Sequence, residues 1–197
     1  MAKHLTKKII SGKYKGKTLK LPSMSTTRSS KSIVLESFFN TIQFDVIDAN
    51  FVELFSGSGS IGLEALSRGA KRIYFMEQDR NALKTLEENI AQTDPKACEV
   101  HRGDTFANIG AVVKRLKSLN EDAYFYIDPP FSIREGHEDI YLKMIDLIAK
   151  LPEEAVKLII IEHMTGLELP EEIGAFHKTK SKKFGKTSLS YFGVEAS

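Results

Sequence analysis

The chain has 197 residues, enough for one well-buried core and too few for two, and its 42% hydrophobic and 27% charged content is ordinary for a globular protein. A single cysteine, Cys98, excludes an internal disulfide framework, and no apolar run approaches the ~18–20 residues needed to cross a bilayer, so a soluble cytoplasmic protein is expected. The net charge of +2 hides an asymmetry: residues 1–35 carry nine Lys/Arg and residues 178–186 five lysines, both without an acid, whereas 36–177 hold 14 basic against 25 acidic residues. An acidic body with two basic ends points to a polyanionic partner, most simply a nucleic acid.

From the N-terminus, Ile9-Ile10 and Thr18–Leu21 read as two short strands around Ser11-Gly12-Lys13-Tyr14-Lys15-Gly16-Lys17. Lys13 and Lys15 beside Tyr14 suit an RNA backbone and a stacked base, although a solvated edge hairpin reads equally well. Pro22–Thr27 is a polar loop, and Ser29 or Ser30 can cap a helix running to about Gln43. Its Ile33, Val34, Leu35, Phe38, Phe39 and Ile42 should pack on a sheet.

Apolar strands near 51–55, 72–77, 98–102, 123–127 and 157–162 then alternate with amphipathic helices near 60–68, 80–92, 107–118 and 138–150. Alternation of this kind predicts an α/β fold with a doubly wound, mostly parallel sheet. Phe176–Lys183 and Lys186–Val194, joined at Phe184-Gly185, close it as an antiparallel hairpin. The expected organisation is a basic hairpin extension over 1–30 and one domain over 31–197.

The central motif is Phe51-Val52-Glu53-Leu54-Phe55-Ser56-Gly57-Ser58-Gly59-Ser60-Ile61-Gly62-Leu63, a strand, a glycine turn and a helix start. Gly57, Gly59 and Gly62 have the GxGxxG spacing that lets backbone approach a nucleotide-like ligand at a helix N-terminus. Leu63 after Gly62 excludes a phosphate-binding P-loop, which needs Lys followed by Ser or Thr there. Glu77, twenty residues after Gly57, would suit the ribose of NAD, but NAD gives no reason for Glu53. S-adenosylmethionine does, because its methionine part carries an ammonium. The expected cofactor residues are Glu53, the turn Phe55, Ser56, Gly57, Ser58 and Gly59, then Glu77 for the ribose hydroxyls, Gln78 along the adenine, and Asp104 with Thr105 at the adenine amine.

Asp128-Pro129-Pro130-Phe131 follows the apolar strand Tyr124–Ile127 at the mouth of the same crevice. The prolines stiffen the loop and free its carbonyls as acceptors. Methylating an exocyclic base amine needs acceptors for two N–H groups. Asp128 and the Pro129 carbonyl supply them, Pro130 fixes the turn, and Phe131 offers a stacking face. No His/Cys cluster has ligand spacing, so no metal is expected.

Through these motifs the sequence resembles class I S-adenosylmethionine-dependent methyltransferases, and more closely the bacterial small-subunit ribosomal RNA guanine-N2 methyltransferases of the RsmD type. The resemblance is carried by Ile9–Lys17, Thr27-Arg28, Val34–Asn40, Leu54–Ala70 and Asp128–Phe131. It implies a seven-stranded sheet with a terminal antiparallel hairpin and methyl transfer to N2 of one guanine in a ribosomal subunit or assembly intermediate. Nothing in the sequence suggests an obligate dimer, so a monomer is expected. Arg28 joins Lys13 and Lys15 as an RNA-side residue. Two positions depart from the family pattern: Arg28-Ser29-Ser30 stands where Arg-Pro-Thr is usual, and Val34-Leu35-Glu36 where Val-Arg-Glu is usual. DNA adenine-N6 methyltransferases share an acidic residue before Pro-Pro and an aromatic, but a chain this short leaves no room for a separate target-recognition domain. Glutamine methyltransferases usually carry Asn at position 128. A ribosome assembly factor with a vestigial cofactor site is the non-enzymatic alternative.

Overall fold

The computed structural model describes residues 5–22, 32–130 and 138–194. In chain order these form β1 (Thr6–Lys8), β2 (Thr18–Lys20), α1 (Ser32–Thr41), β3 (Asn50–Leu54), α2 (Ser60–Ser67), β4 (Arg72–Glu77), α3 (Arg80–Ile90) and β5 (Cys98–Arg102). There follow α4 (Thr105–Leu119), β6 (Ala123–Ile127), α5 (Glu138–Ala149), β7 (Val156–Met164), β8 (Glu172–Ile173), β9 (Phe176–Phe184) and β10 (Thr187–Gly193). No helix among the described residues is long and apolar enough to cross a membrane.

The main sheet has the order β5-β4-β3-β6-β7-β10-β9-β8. β3 to β7 pair in parallel, and β10, β9 and β8 add on antiparallel. The seven expected strands are present. The two-residue β8 is an eighth: it folds back on β9 through Gly174 at φ 61° and buries Ile173 against the α5 side of the sheet.

Side-chain alternation sorts the central strands into two cores. Phe51, Ile73, Phe75, Tyr124 and Tyr126 face α1, α2 and α3, where Val34, Leu35, Phe38, Phe39, Leu63 and Leu86 meet them. Val52, Leu54, Tyr74, Met76, Phe125 and Ile127 face α4 and α5, against Val112, Leu116, Met144 and Ile148. Leu35, which departs from the family pattern, is wholly buried in the first core. Ile33 does not pack on the sheet as expected: it is 61% exposed. The buried stripe of α1 is Val34, Leu35, Phe38 and Phe39, and at ~100° per residue Ile33 falls outside it. The helix ends at Thr41 rather than Gln43.

From β3 the chain builds outward through β4 and β5, then returns to the other side of β3 with β6. Connections therefore diverge at the carboxyl ends of β3 and β6, which opens a crevice there.

The N-terminal segment is fastened to α2 and α3. Its first strand is Thr6–Lys8 instead of Ile9-Ile10 because the Glu64 carboxylate of α2 takes the Ile10 and Ser11 N–H groups, at 2.8 and 3.1 Å. Ile9 and Leu19 bury in the first core. The Ser67 carbonyl accepts from Lys13 N–H at 2.7 Å, and the Ser67 hydroxyl accepts from Tyr14 N–H at 2.9 Å. From α3, Asn89 accepts from Lys20 N–H and donates to the carbonyls of Lys20 and Ser58, each at 2.9 Å, so it ties β2 to the glycine turn. Gly12 has φ +84°, and a Cβ there would lie 1.8 Å from the Ser67 carbonyl oxygen. Gly12→Ala is therefore expected to destabilise the protein by about 2–4 kcal/mol in urea unfolding. An unchanged midpoint would show that the basic turn is free to lift off α2.

Candidate active site

The crevice begins with Glu53, one residue before the end of β3 and inside the protein at 3% exposure. Its Oε2 accepts from Gly62 N–H at 2.8 Å, and the Ile61 N–H also serves the carboxylate. The N-terminus of α2, expected to meet a ligand directly, is thus met by this side chain. Burial pushes the Glu53 carboxyl up to about 8, although the two amides and the Lys7 ammonium act the other way.

The three glycines have distinct duties. A Cβ at Gly62 would lie 2.5 Å from Phe75, 2.6 Å from Ile73 and 2.9 Å from Glu53 Oε2, so this position lets α2 sit close to the sheet. A Cβ at Gly59 would lie 2.3 Å from Leu86, which seats the turn against α3. Gly57, at φ +54°, has nothing within 4 Å of such a Cβ, so it presents backbone to the crevice. Phe55 also has positive φ, 57°, strained for an aromatic residue, and its ring meets Phe106 edge-on at 5.8 Å.

Ser56 and Ser58 serve the turn itself. The Ser56 hydroxyl donates to Glu53 C=O at 2.7 Å and accepts from Met76 N–H at 2.9 Å, clamping the ends of β3 and β4. Ser58 is buried, with its carbonyl held by Asn89.

Across the turn, Glu77 accepts three backbone N–H groups: Gly57 at 2.7 Å on one oxygen, Gln78 and Asp79 at 2.8 Å on the other. Of roughly four lone-pair sites on a carboxylate, a ribose would therefore share or displace these. Asp104 caps α4, accepting from Phe106 N–H at 2.9 Å, and Thr105 is buried behind it. Gln78, Asp104, Phe106 and Pro130 together line a cavity of about 840 Å³ that runs on between α4 and α5 past Ile140 and Lys143. Gln78 and Asp104, two of the three residues expected at an adenine, are thus brought to one wall.

Asp128 follows β6 and is half-buried, Pro129 is buried and Pro130 exposed; Phe131 lies outside the described residues. The register pairs Leu54 with Ile127 and Ile127 with Ile161, so Asp128 stands between Phe55 on one side and Glu162 on the other. Desolvation, then the neighbouring Glu162 and Glu53, push the Asp128 carboxyl well up; Lys7 counters them. Glu162 is 3% exposed and accepts from the Tyr126 hydroxyl at 2.7 Å. It is the acid that sequence reading missed. Its signal was the same as for Glu53 and Asp128, an acid closing an apolar strand run, here Leu158-Ile159-Ile160-Ile161.

On the basic side, Lys13 and Lys15 are exposed on the anchored turn, with the Lys13 and Lys17 ammonium groups 5.2 and 5.9 Å from the Tyr14 ring centroid. Arg28 lies outside the described residues. Part of the second lysine block is used internally: Lys182 donates to the Ser37 and Thr41 hydroxyls of α1, and Lys178 to Leu169 C=O and Glu171. Burial pushes the Cys98 thiol up to about 12, which fits an inert residue and not a nucleophile.

A family model described as Conserved hypothetical protein 95 matches residues 7–193. The chain belongs to that family. One relative of this Conserved hypothetical protein 95 member is the Bacillus subtilis (strain 168) protein named "Putative rRNA methyltransferase YlbH", 32% identical over 94% of this chain and 97% of that one. Another is "Ribosomal RNA small subunit methyltransferase D" of Escherichia coli (strain K12), 28% identical over 88% of this chain and 83% of that one. Among solved structures, "Putative methyltransferase yhhF from Escherichia coli" superposes with a TM-score of 0.75 at 24% identity, covering 98% of this chain and all of that one. The RsmD-type resemblance carried by the motifs is that of the family itself, and the fold is that of class I methyltransferases.

Glu53 makes a pH prediction. An unfolded glutamate ionises near 4.3, whereas the folded one keeps its proton until about 8. Its burial therefore costs nothing below the unfolded value, costs progressively more as pH rises between the two, and costs most above 8. Glu53→Gln should gain roughly 2–4 kcal/mol relative to the native chain on going from pH 4 to pH 8.5, measured by urea unfolding. A difference that stays constant with pH would show that Glu53 is ionised throughout.

Proposed function

We propose that this chain transfers the methyl group of S-adenosylmethionine to the exocyclic N2 amine of a guanine in small-subunit ribosomal RNA. The observation that carries the reading is the placement of Asp128 beside the Gly57 turn, at the one point where the sheet order reverses. Family membership and the names of the two relatives support RNA methylation in particular.

The donor groups fit this cofactor. Glu53, Glu77, Asp104 and Asp128 set four carboxyl groups along the rim; a ligand carrying an ammonium and a sulfonium would draw the desolvated Glu53 and Asp128 toward their ionised forms, whereas a pyrophosphate would oppose that. Gly57 leaves space at the turn, Glu77 would accept ribose hydroxyls, and Gln78 and Asp104, which line one cavity, would flank the adenine. When bound, the cofactor supplies an already electrophilic methyl group.

The protein's share is then positioning and electrostatics. Asp128 in its anionic form accepts one N–H of the target amine and the Pro129 carbonyl accepts the other, which aims the nitrogen lone pair. Asp128 need not remove a proton beforehand, because the amine acidifies once methylated. Tyr126 and Glu162 brace the rim behind it. Lys13 and Lys15, held on the turn that Glu64 and Ser67 fasten, take the RNA backbone. The substrate on this reading is a small ribosomal subunit or an assembly intermediate, met in the cytoplasm by a monomer.

Asp128→Ala should lower methyl transfer to RNA by at least about a thousandfold while cofactor affinity by calorimetry stays within roughly threefold. Retained activity would remove Asp128 from the chemistry. Reversing Lys13 and Lys15 together to Glu should weaken RNA binding and reduce the log–log salt slope by about two, in filter binding across a KCl series. An unchanged slope would return both lysines to the role of solvated surface.

A further inference from the structure

The basic N-terminal segment does more than present lysines to solvent. In β1, Thr6 and Lys8 are exposed and Lys7 between them is half-buried, so the Lys7 side chain lies on the inward face, two residues before the buried Ile9. The strand is held in this register by Leu19 across from Lys7 and by the Glu64 carboxylate on the next two free amides, Ile10 and Ser11. At the carboxyl rim of the sheet, Asp128 and Glu162 follow the paired residues Ile127 and Ile161 on adjacent strands, so two carboxylates stand side by side, with Glu53 one strand further along.

We propose that Lys7 is a positioning residue of the active site, an ammonium carried by the N-terminal strand into the acid cluster of Glu53, Asp128 and Glu162 so that Asp128 is charged when it meets the target amine. This rests on the methyl-transfer reading above and adds a part to it: the segment fastened to α2 completes the catalytic crevice.

The groups that face Asp128 leave few other sources of this charge. From β3 comes Glu53 and from β7 Glu162, both buried and both opposing ionisation of Asp128. From β6, the Tyr126 hydroxyl is directed to Glu162. From α5, Tyr141 feels the Asp128 charge, and its buried hydroxyl has no hydrogen-bond partner among the described residues. From α2, Glu64 acts on Lys7 and not on Asp128, and it is balanced by Arg68 at 2.7 Å and by the two amides of the N-terminal segment. Lys7 is the cation acting on Asp128 among the described residues. Conversely, burial lowers the Lys7 ammonium, and Glu162, Glu53, Glu64 and Asp128 each act to keep it protonated. The ammonium and the acids thus each oppose the loss of the other's charge that burial promotes. Without it, adjacent buried carboxylates tend to share a proton, and a protonated Asp128 loses acceptor capacity.

The test is the pH dependence of methyl transfer to undermethylated small subunits, at saturating RNA and cofactor, for the native chain and for Lys7→Met, Lys7→Arg, Glu162→Gln and the Lys7→Met/Glu162→Gln pair. Lys7→Met should move the acid limb to higher pH, so that the rate falls about tenfold at pH 6.5 and stays within roughly threefold at pH 9. Lys7→Arg should restore the native profile, and Glu162→Gln should move the acid limb back down in the Lys7→Met background. A loss equal at all pH values, or one that Lys7→Arg shares, would overturn the proposal and make Lys7 a packing or RNA contact. If Lys7→Met does not fold, Glu162→Gln alone decides: its acid limb must move below the native one, and an unmoved limb overturns the proposal. Failure of the native chain to methylate any RNA would overturn the functional reading and this inference with it. An active native chain with unmoved variant profiles overturns this inference alone.

Discussion

The site depends on one buried contact, the Glu53 carboxylate on the amides that open α2. It lets a strand buried on both faces hand its chain to a helix through a five-residue turn, Phe55–Gly59, without leaving the helix amides orphaned. The contact requires Gly62 to lack a Cβ, requires Gly59 to let Leu86 close in, and is locked by Ser56 between the ends of β3 and β4. With those residues fixed, Gly57 is the part of the turn that faces open space. The desolvation that raises Glu53 is the cost of placing a carboxyl group there, and a cationic ligand would draw that group back toward its ionised form.

The basic extension and the acidic body are parts of one electrostatic arrangement. Glu64 and Ser67 of α2 hold the turn bearing Lys13 and Lys15, and Asn89 of α3 couples β2 to Ser58 in the glycine turn. The helix that starts at the glycine turn therefore also fastens the proposed RNA surface. Buried side chains with fixed partners set the distance between the two, which a flexible tail could not do. The C-terminal lysines contribute differently, since Lys182 and Lys178 are bound within the fold.

Most of the α/β alternation was legible because strands buried on both faces have nearly continuous apolar runs, and glycine, proline and acid residues punctuate them. Asp104 and Gln78 reached one wall because residues just past parallel strands share a rim whatever the loops do. What sequence could not give was set by single side-chain contacts from distant segments. Glu64 captures the amides of Ile10 and Ser11 and moves the first strand upstream, a contact across more than fifty residues. Ile33 has the right composition for the core and the wrong angle on α1. The Ser56 hydroxyl bonds the backbone of two strands, a role that follows from the pairing of β3 with β4 and not from the turn motif. Glu162 carried the same local signal as the other rim acids, but its place beside Asp128 follows only from the strand register.

The central claim is that this crevice methylates a guanine amine in small-subunit ribosomal RNA. The most direct measurement supplies radiolabelled S-adenosylmethionine with undermethylated small ribosomal subunits in one reaction and genomic DNA in another, and identifies the labelled nucleoside by mass spectrometry. The expected result is N2-methylguanosine from the subunits and no label in the DNA. N6-methyladenine in the DNA, or subunits that stay unlabelled, would contradict it.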